Sequence, residues 1–146
     1  IQKITDVAVI TDFTYQGEIV ISDDDEVYLL GDIGNNKYIS KLKGVKYLVK
    51  GNHDLESNDY YRNNGFKEVY DLPVIFKDFW ILSHKPLYVN KNMPYANIYG
   101  HVHANPNYNT SSSHGYCVSV ERINYTPIEL TEIYNAIKLK EASTNV

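Results

Sequence analysis

The sequence predicts an α/β fold, and three features of its 146 residues support that class. Short apolar runs rich in β-forming residues recur along the chain and end in glycine or a polar residue, as buried strands do. Between two of these runs, residues 36–43 suit a short amphipathic helix, so residues 26–52 predict a strand–helix–strand unit with parallel strands. A longer helix is predicted near the C-terminus.

The strand–helix–strand unit consists of "EVYLLGD" at 26–32, the helix, and "VKYLVKGN" at 45–52. Ile39 and Leu42 give the helix its apolar side, and Gly44 ends it. The second half of the chain predicts a short helix, a hairpin and two further strands. They lie at 58–64, 74–83, 96–103 and 116–121, and the hairpin turns at Lys77 and Asp78.

The C-terminal helix carries the strongest end signal in the sequence. Thr126 is its predicted N-cap, Pro127 fits its first position, and Glu129 completes a capping box. Its apolar side is predicted to consist of Ile128, Leu130, Ile133 and Ile137.

Composition limits the classes of function. The length and the lack of a linker predict one domain over 1–146. A net charge of -4 gives no basic surface for tight nucleic-acid binding. No apolar run reaches membrane-span length, and the single cysteine, Cys117, excludes an internal disulfide, so we expect a soluble, cytoplasmic protein.

Four of the apolar runs end in a short polar signature. These are Gly31–Asp32, Gly51–Asp54, Ser83–His84 and Gly100–His103. Ligands of open α/β sheets bind outside the carboxyl ends of the strands, so these side chains are expected to meet. Four of the five histidines fall in these signatures, and the fifth, His114, is predicted to be a solvated loop residue.

Imidazole, carboxylate and amide groups without a thiolate form a ligand set for transition metals. Asp32 suits a position between two ions, because a carboxylate has two oxygens. Two such ions can hold both the attacking and the leaving oxygen of a displacement at phosphorus. The pattern therefore predicts metal-assisted hydrolysis of a phosphate ester.

In chain order, the motifs GDIG, GNHD, SHKP and GHVHAN, between Glu26 and Asn105, resemble those of the calcineurin-like metallophosphoesterases. The resemblance implies a four-layer α/β/β/α sandwich, with mixed sheets flanked by helices and two metal ions at the sheet edge. Those ions would be divalent transition metals, manganese first, with iron, zinc or nickel as alternatives, or else magnesium.

The resemblance also implies a role for each motif residue. Asn52, His84 and His101 would hold one metal, His103 the other, and Asp32 would bridge the two. As catalytic residues, His53 would donate a proton to the leaving oxygen or stabilise the transition state, and Asp54 would orient His53 by a hydrogen bond.

The family's first motif, Asp-x-His, does not occur in this sequence. Two alternatives remain open. Asp12 follows a predicted strand and matches the aspartate, with Thr14 where the histidine would be. Otherwise the motif, together with its strand, lies upstream of Ile1. Under either alternative the metal position of His103 is short of ligands.

The expected function is that of a metal-dependent phosphoesterase acting on a phosphomonoester or phosphodiester, with a phosphorylated small molecule or nucleotide as substrate. The alternative is a degenerate domain of the same family that binds metal or ligand without turnover. The missing Asp-x-His motif is the reason for keeping this alternative.

Overall fold

Two β-sheets form the framework of the protein. The computed structural model describes residues 7–10, 21, 23–34, 36–90, 92–102, 105, 114–119, 122 and 128–144. The first sheet contains β1 (Val7–Ile10), β2 (Glu26–Leu29), β3 (Val45–Val49), β4 (Phe66–Tyr70) and β9 (Ile128–Glu129). The second contains β5 (Val74–Phe76), β6 (Trp80–Ser83), β7 (Ala96–Tyr99) and β8 (Gly115–Cys117). The described helices are a 3-10 helix (Asn36–Lys41), α1 (Asn58–Asn63) and α2 (Leu130–Thr144).

The first sheet has the strand order β4-β3-β2-β1-β9, and β1 to β4 are all parallel. The predicted parallel pairing around the 3-10 helix is confirmed, with Tyr28 opposite Tyr47. The strand β9 closes the sheet by antiparallel pairing with β1. The carboxyl ends of four strands therefore lie at one edge of this sheet.

The second sheet has the order β5-β6-β7-β8 and begins with the predicted hairpin of β5 and β6. Its turn is confirmed at Lys77 and Asp78, whose φ angles of 56° and 59° match a type I′ turn. A hydrogen bond of 3.3 Å from Phe79 N to Phe76 O closes this turn. Because β6, β7 and β8 are parallel, their carboxyl ends also share one edge.

The two sheets and α2 share one hydrophobic core. Its buried members are Tyr28, Leu30, Val49, Trp80, Leu82, Ala96, Ile98, Val118, Ile128, Leu130, Ile133 and Ile137. The alternate residues of β2, Val27 and Leu29, face the opposite side of the first sheet, as the two-residue period of a strand requires. There the 3-10 helix and α1 cover them through Ile39 and Tyr61. Burial on both faces explains the continuous apolar runs in the sequence.

Tyr28 connects the two sheets. Its ring stacks on Tyr47 of the same sheet at 4.8 Å and meets Phe76 of the second sheet edge-on at 5.4 Å. Burial raises the pKa of Tyr28 far above its usual range, and Glu26 and the neighbouring tyrosines Tyr47 and Tyr70 raise it further. The ring therefore packs as a neutral group.

The predicted four-layer sandwich is wrong. The described helices are two α-helices of six and fifteen residues and the short 3-10 helix, and they do not form a helical layer on each outer face. The described residues of the connection between the parallel strands β6 and β7, 84–90 and 92–95, form no helix. Pro86 and Pro94 each lack a backbone donor for a helix, which accounts for this difference. No described helix has the length and apolar character needed to cross a lipid bilayer.

The C-terminal helix exists but starts later than predicted. Ile128 and Glu129 pair with Val9 and Ala8 of β1, so the backbone there is extended and α2 begins at Leu130. Pairing with an otherwise open sheet edge outweighs the local capping signal. Thr126 and Pro127 lie outside the described residues.

The left-handed hairpin turn makes a testable prediction. Replacing Asp78 by glycine removes the steric cost of its positive φ, so we expect the free energy of unfolding to rise by about 1 kcal/mol. Urea denaturation measures this change. The matched control is Asp24→Gly in the turn before β2, where φ is not positive and glycine should lower stability by about 0.5 kcal/mol. A fall in stability for both variants would contradict the turn geometry.

Candidate metal centre

Four side chains from the two sheets meet where the sheets' carboxyl edges adjoin. Asp32 follows β2, Asn52 follows β3, His84 follows β6 and His101 follows β7. Ligand atoms of Asp32, His84 and His101 all lie within 4.8 Å of one another. The oxygen of Asn52 is 3.0 Å from Nε2 of His84. The structure thus brings together the four predicted ligands that it describes.

His84 is the centre of this group, and its tautomer follows from its surroundings. Nδ1 lies 2.7 Å from the carbonyl oxygen of Leu30, which can only accept, so Nδ1 carries a hydrogen and donates. Nε2, the other ring nitrogen, faces the other three side chains and can present its lone pair to a metal ion. A carbonyl that holds the far nitrogen of a histidine is a usual support for metal ligation.

The atoms around Nε2 of His84 form a suitable set of donors for a cation. Asp32 Oδ2 lies at 3.3 Å, Asn52 Oδ1 at 3.0 Å and His101 Nδ1 at 3.1 Å. Neither oxygen carries a hydrogen. A single hydrogen bond between the two imidazoles would therefore leave both oxygens facing other acceptor atoms. Only 5% of the His84 side chain and 12% of the Asp32 side chain are exposed, so water does little to offset the repulsion between these two groups, whereas Asn52 is exposed. A divalent cation would satisfy all four atoms, and the residues fit such an ion.

The backbone at two of the four ligands is strained. Asp32 has a φ of 53° and His101 a φ of 70°, a region that costs most residues about 1–2 kcal/mol. His101 is the central residue of a γ-turn, closed by a 2.8 Å hydrogen bond from Val102 N to Gly100 O. Strain of this kind persists where the surrounding structure imposes it, and it concentrates at functional sites.

The glycines that precede the candidate ligands Asp32 and Asn52 are there for a steric reason. A Cβ atom on Gly31 would lie 2.5 Å from Nδ1 of His84 and 2.7 Å from the Cα of Gly51. A Cβ on Gly51 would collide with the carboxylate of Asp32. The loops after β2 and β3 touch through these two glycines, and that close approach lets the ligands meet.

Asp54 makes backbone contacts that the sequence did not predict, and its predicted role in orienting His53 stays a prediction. Its carboxylate is buried and accepts hydrogen bonds from the backbone N–H groups of Asp32 at 2.7 Å, Gly51 at 2.8 Å and Ile33 at 3.0 Å. None of these three donors belongs to the His53 ring. Asp54 therefore holds the loops after β2 and β3 together and positions Asp32.

His53 lies at the exposed rim of the centre. Its backbone N–H donates to Asp32 Oδ1 at 2.9 Å, which places the residue beside the candidate metal ligands. The exposure of the side chain leaves it accessible to a bound substrate. Its role as a proton donor stays a prediction.

Two predicted ligands, Asp12 and His103, lie outside the described residues. The parallel pairing of β1 with β2 places the end of β1, at Ile10, on the edge where Asp32 lies. The second metal position stays a prediction. The expectation for His114 is wrong, because its side chain is buried and its Nδ1 lies 3.0 Å from the carbonyl of Tyr95.

Asn97 is a residue of the site that sequence reasoning missed. It is fully buried in β7, and its amide group donates to Ile81 O and Ser83 Oγ, both at 2.9 Å. Its oxygen accepts from the backbone N–H of Leu87 at 2.8 Å. These bonds hold the chain on both sides of His84. The available signal was an amide residue inside the apolar run "ANIY", where a buried polar group needs partners.

No family model matches this sequence, and no curated protein matches it. Among solved structures, the chain is similar to the protein of unknown function AQ665 from Aquifex aeolicus. The TM-score is 0.64 with 22% sequence identity over 89% of this chain and 98% of that chain. The similarity shows a shared fold. The resemblance to metallophosphoesterases, which depends on the motifs, stays a prediction.

The backbone hydrogen bonds of Asp54 make a testable prediction. Asp54→Asn replaces one accepting oxygen by an NH₂ group that faces N–H donors, so the free energy of unfolding should fall by about 3 kcal/mol. Urea denaturation measures it. Asp59→Asn is the control, because the Asp59 side chain is 87% exposed and its ion pair with Arg62 is screened by water, so its loss should hardly change stability. Equal losses in the two variants would contradict the role of Asp54.

The network of Asn97 makes a second prediction. Asn97→Ala leaves buried groups of the His84 loop unpaired, so stability should fall by about 3 kcal/mol. Because the loop is then free to move, the dissociation constant for Mn²⁺ should rise by about tenfold, as for other residues that position a metal ligand. Isothermal titration calorimetry under folding conditions measures this. Asn90→Ala is the control, since among the described residues the Asn90 side chain bonds only to the Tyr88 hydroxyl and the backbone N–H of Asn92. Lost stability with unchanged Mn²⁺ affinity would show that Asn97 stabilises the fold but does not position the metal ligand.

Proposed function

We propose that this chain is a metal-dependent phosphoesterase. The observation that carries the proposal is the convergence of Asp32, Asn52, His84 and His101 on one point at the carboxyl edges of both sheets. Acceptor atoms that face one another around the buried His84 ring, with at most one hydrogen between them, are unfavourable unless a cation is bound. The ligand types, nitrogen and oxygen without sulfur, favour a transition metal such as manganese over a structural zinc site.

In this proposal the four side chains hold a divalent ion. When bound, such an ion supplies positive charge for phosphate oxygens and makes water more acidic. The carboxylate of Asp32 balances part of the positive charge and is held in place by Asp54 and by the backbone of His53. Rigid ligand loops keep the site organised before the substrate arrives, which lowers the cost of reaching the transition state.

His53 is proposed to donate a proton to the departing alcohol oxygen. A positioned histidine suits this role, because its usual pKa lies close to neutral pH. The exposed side chain and the backbone contact with Asp32 place it at the rim that a substrate would approach. Proton donation of this kind contributes roughly 10²–10⁴-fold to a rate.

The proposed substrate is a phosphomonoester or phosphodiester of a small molecule, including a nucleotide. The net charge of -4 makes long nucleic acid a poorer candidate. We also propose a cytoplasmic location, which agrees with the single cysteine of the sequence.

A second candidate is a domain that binds metal or ligand without turnover. The observation that favours it is the lack of any Asp-x-His in the sequence, so that a second metal position has fewer candidate ligands than the first. Under this candidate the described metal centre would load with Mn²⁺ but would not accelerate hydrolysis.

Metal loading and hydrolysis test the proposal together. We expect the purified protein to bind Mn²⁺ and to hydrolyse bis(p-nitrophenyl) phosphate, and EDTA should abolish that activity. Asp32→Asn keeps the shape of the side chain but removes its charge, so Mn²⁺ affinity should fall by at least ~100-fold, and hydrolysis with it. The exposed Asp59→Asn variant is the matched control and should keep both properties.

Turnover by the wild-type chain and by the His53→Gln variant distinguishes the phosphoesterase from the binding domain. We expect the variant to keep its Mn²⁺ affinity and to lose roughly 10²-fold in kcat, because a proton donor is removed without a metal ligand. Metal binding by the wild-type chain without any turnover would instead support the binding domain. Neither metal binding nor turnover would rule out both candidates.

A further inference from the structure

We propose that the pocket beside the metal centre binds an apolar organic group of the phosphoester substrate, with Leu72 and Leu87 as its specificity residues. This inference rests on the proposed function and names a narrower substrate class for the same site. It predicts that the chain prefers organic phosphoesters with an apolar group of about the size of a phenyl ring over phosphates that carry only a small substituent.

The pocket is continuous with the metal centre. Asn52 and His84, two of the candidate ligands, form part of its wall. Its volume of about 420 Å³ falls within the range of ~300–1,000 Å³ that is usual for small-molecule sites. A phosphate held by the metal centre would therefore have its substituent adjacent to this pocket.

The outer part of the pocket is apolar. Leu72 and Pro73, from the loop between β4 and β5, face the connection after β6, which contributes Leu87. The Leu72 side chain is 75% exposed and Leu87 is 39% exposed. A ligand that covers these exposed apolar side chains would remove their surface from water, which favours binding of an apolar group.

The charges around the pocket suit an anionic ligand. The ammonium of Lys50 is already engaged, with Asp71 at 3.7 Å, Asn58 Oδ1 at 3.1 Å and Glu56 O at 3.0 Å. Lys85, next to His84, has no ion-pair partner among the described residues. One unpaired cation beside an apolar rim matches a ligand with a phosphate at one end and an apolar group at the other.

Two phosphonates that resist hydrolysis separate the apolar contribution from the charge. Phenylphosphonate and methylphosphonate carry the same anionic group and differ only in the substituent. With the Mn²⁺-loaded protein, isothermal titration calorimetry should show phenylphosphonate binding about tenfold tighter, since burial of a ring in a partly open site gives part of its full transfer energy.

Two variants then test which residues cause the preference for phenylphosphonate over methylphosphonate. Leu72→Ser should reduce the preference to less than about threefold without changing Mn²⁺ affinity, because the side chain is exposed and holds no ligand. The control Leu139→Ser, on α2 and 70% exposed, should keep the tenfold ratio. Lys85→Gln should weaken both phosphonates alike and leave the ratio unchanged.

The outcomes distinguish this inference from the proposed function. Equal affinity for the two phosphonates, or a ratio that Leu72→Ser leaves intact, overturns the pocket assignment while Mn²⁺-dependent hydrolysis still supports the phosphoesterase. Binding of neither phosphonate with hydrolysis intact also overturns only the pocket. Binding of neither phosphonate, with no hydrolysis of bis(p-nitrophenyl) phosphate, overturns both.

Discussion

The candidate metal centre depends on one set of interactions, the hydrogen bonds that the buried carboxylate of Asp54 accepts. The carboxylate accepts three backbone hydrogen bonds, from Asp32, Ile33 and Gly51, and so joins the loops that follow β2 and β3. The left-handed backbone of Asp32 is unfavourable alone, and these bonds stabilise it. Bonds to an ionised acceptor in a buried position are among the strongest a protein forms, which suits a role in holding a strained loop.

The second constraint is the contact between the two sheets. Asp32 and Asn52 belong to the first sheet, and His84 and His101 to the second. The bond from His84 Nδ1 to Leu30 O crosses between the sheets and turns Nε2 toward the other ligands. The shared core sets the distance between the sheets, so the geometry of the metal centre depends on packing far from it.

The sequence alone was sufficient to name the four candidate ligands that the structure brings together. Each follows an apolar run and three of the four signatures begin with glycine, and parallel strands end at a common edge. The role of Asp54 was not accessible, because "GNHD" places it next to His53 but does not show the backbone N–H groups that it accepts. The same holds for Asn97 and for the buried His114, whose partners lie far away or in another strand.

The sequence by itself predicted β2, β3, the hairpin of β5 and β6, β7, the parallel pairing of β2 with β3 and the residue types of the candidate metal ligands, because these depend on local periodicity and residue type. Only the tertiary structure decided how much helix covers the sheets and where α2 begins. Ile128 and Glu129 carry a capping signal, but pairing with β1 was more favourable. The tertiary structure also decided the tautomer of His84 and the partners of Asp54, since both depend on groups brought together by packing of separate strands.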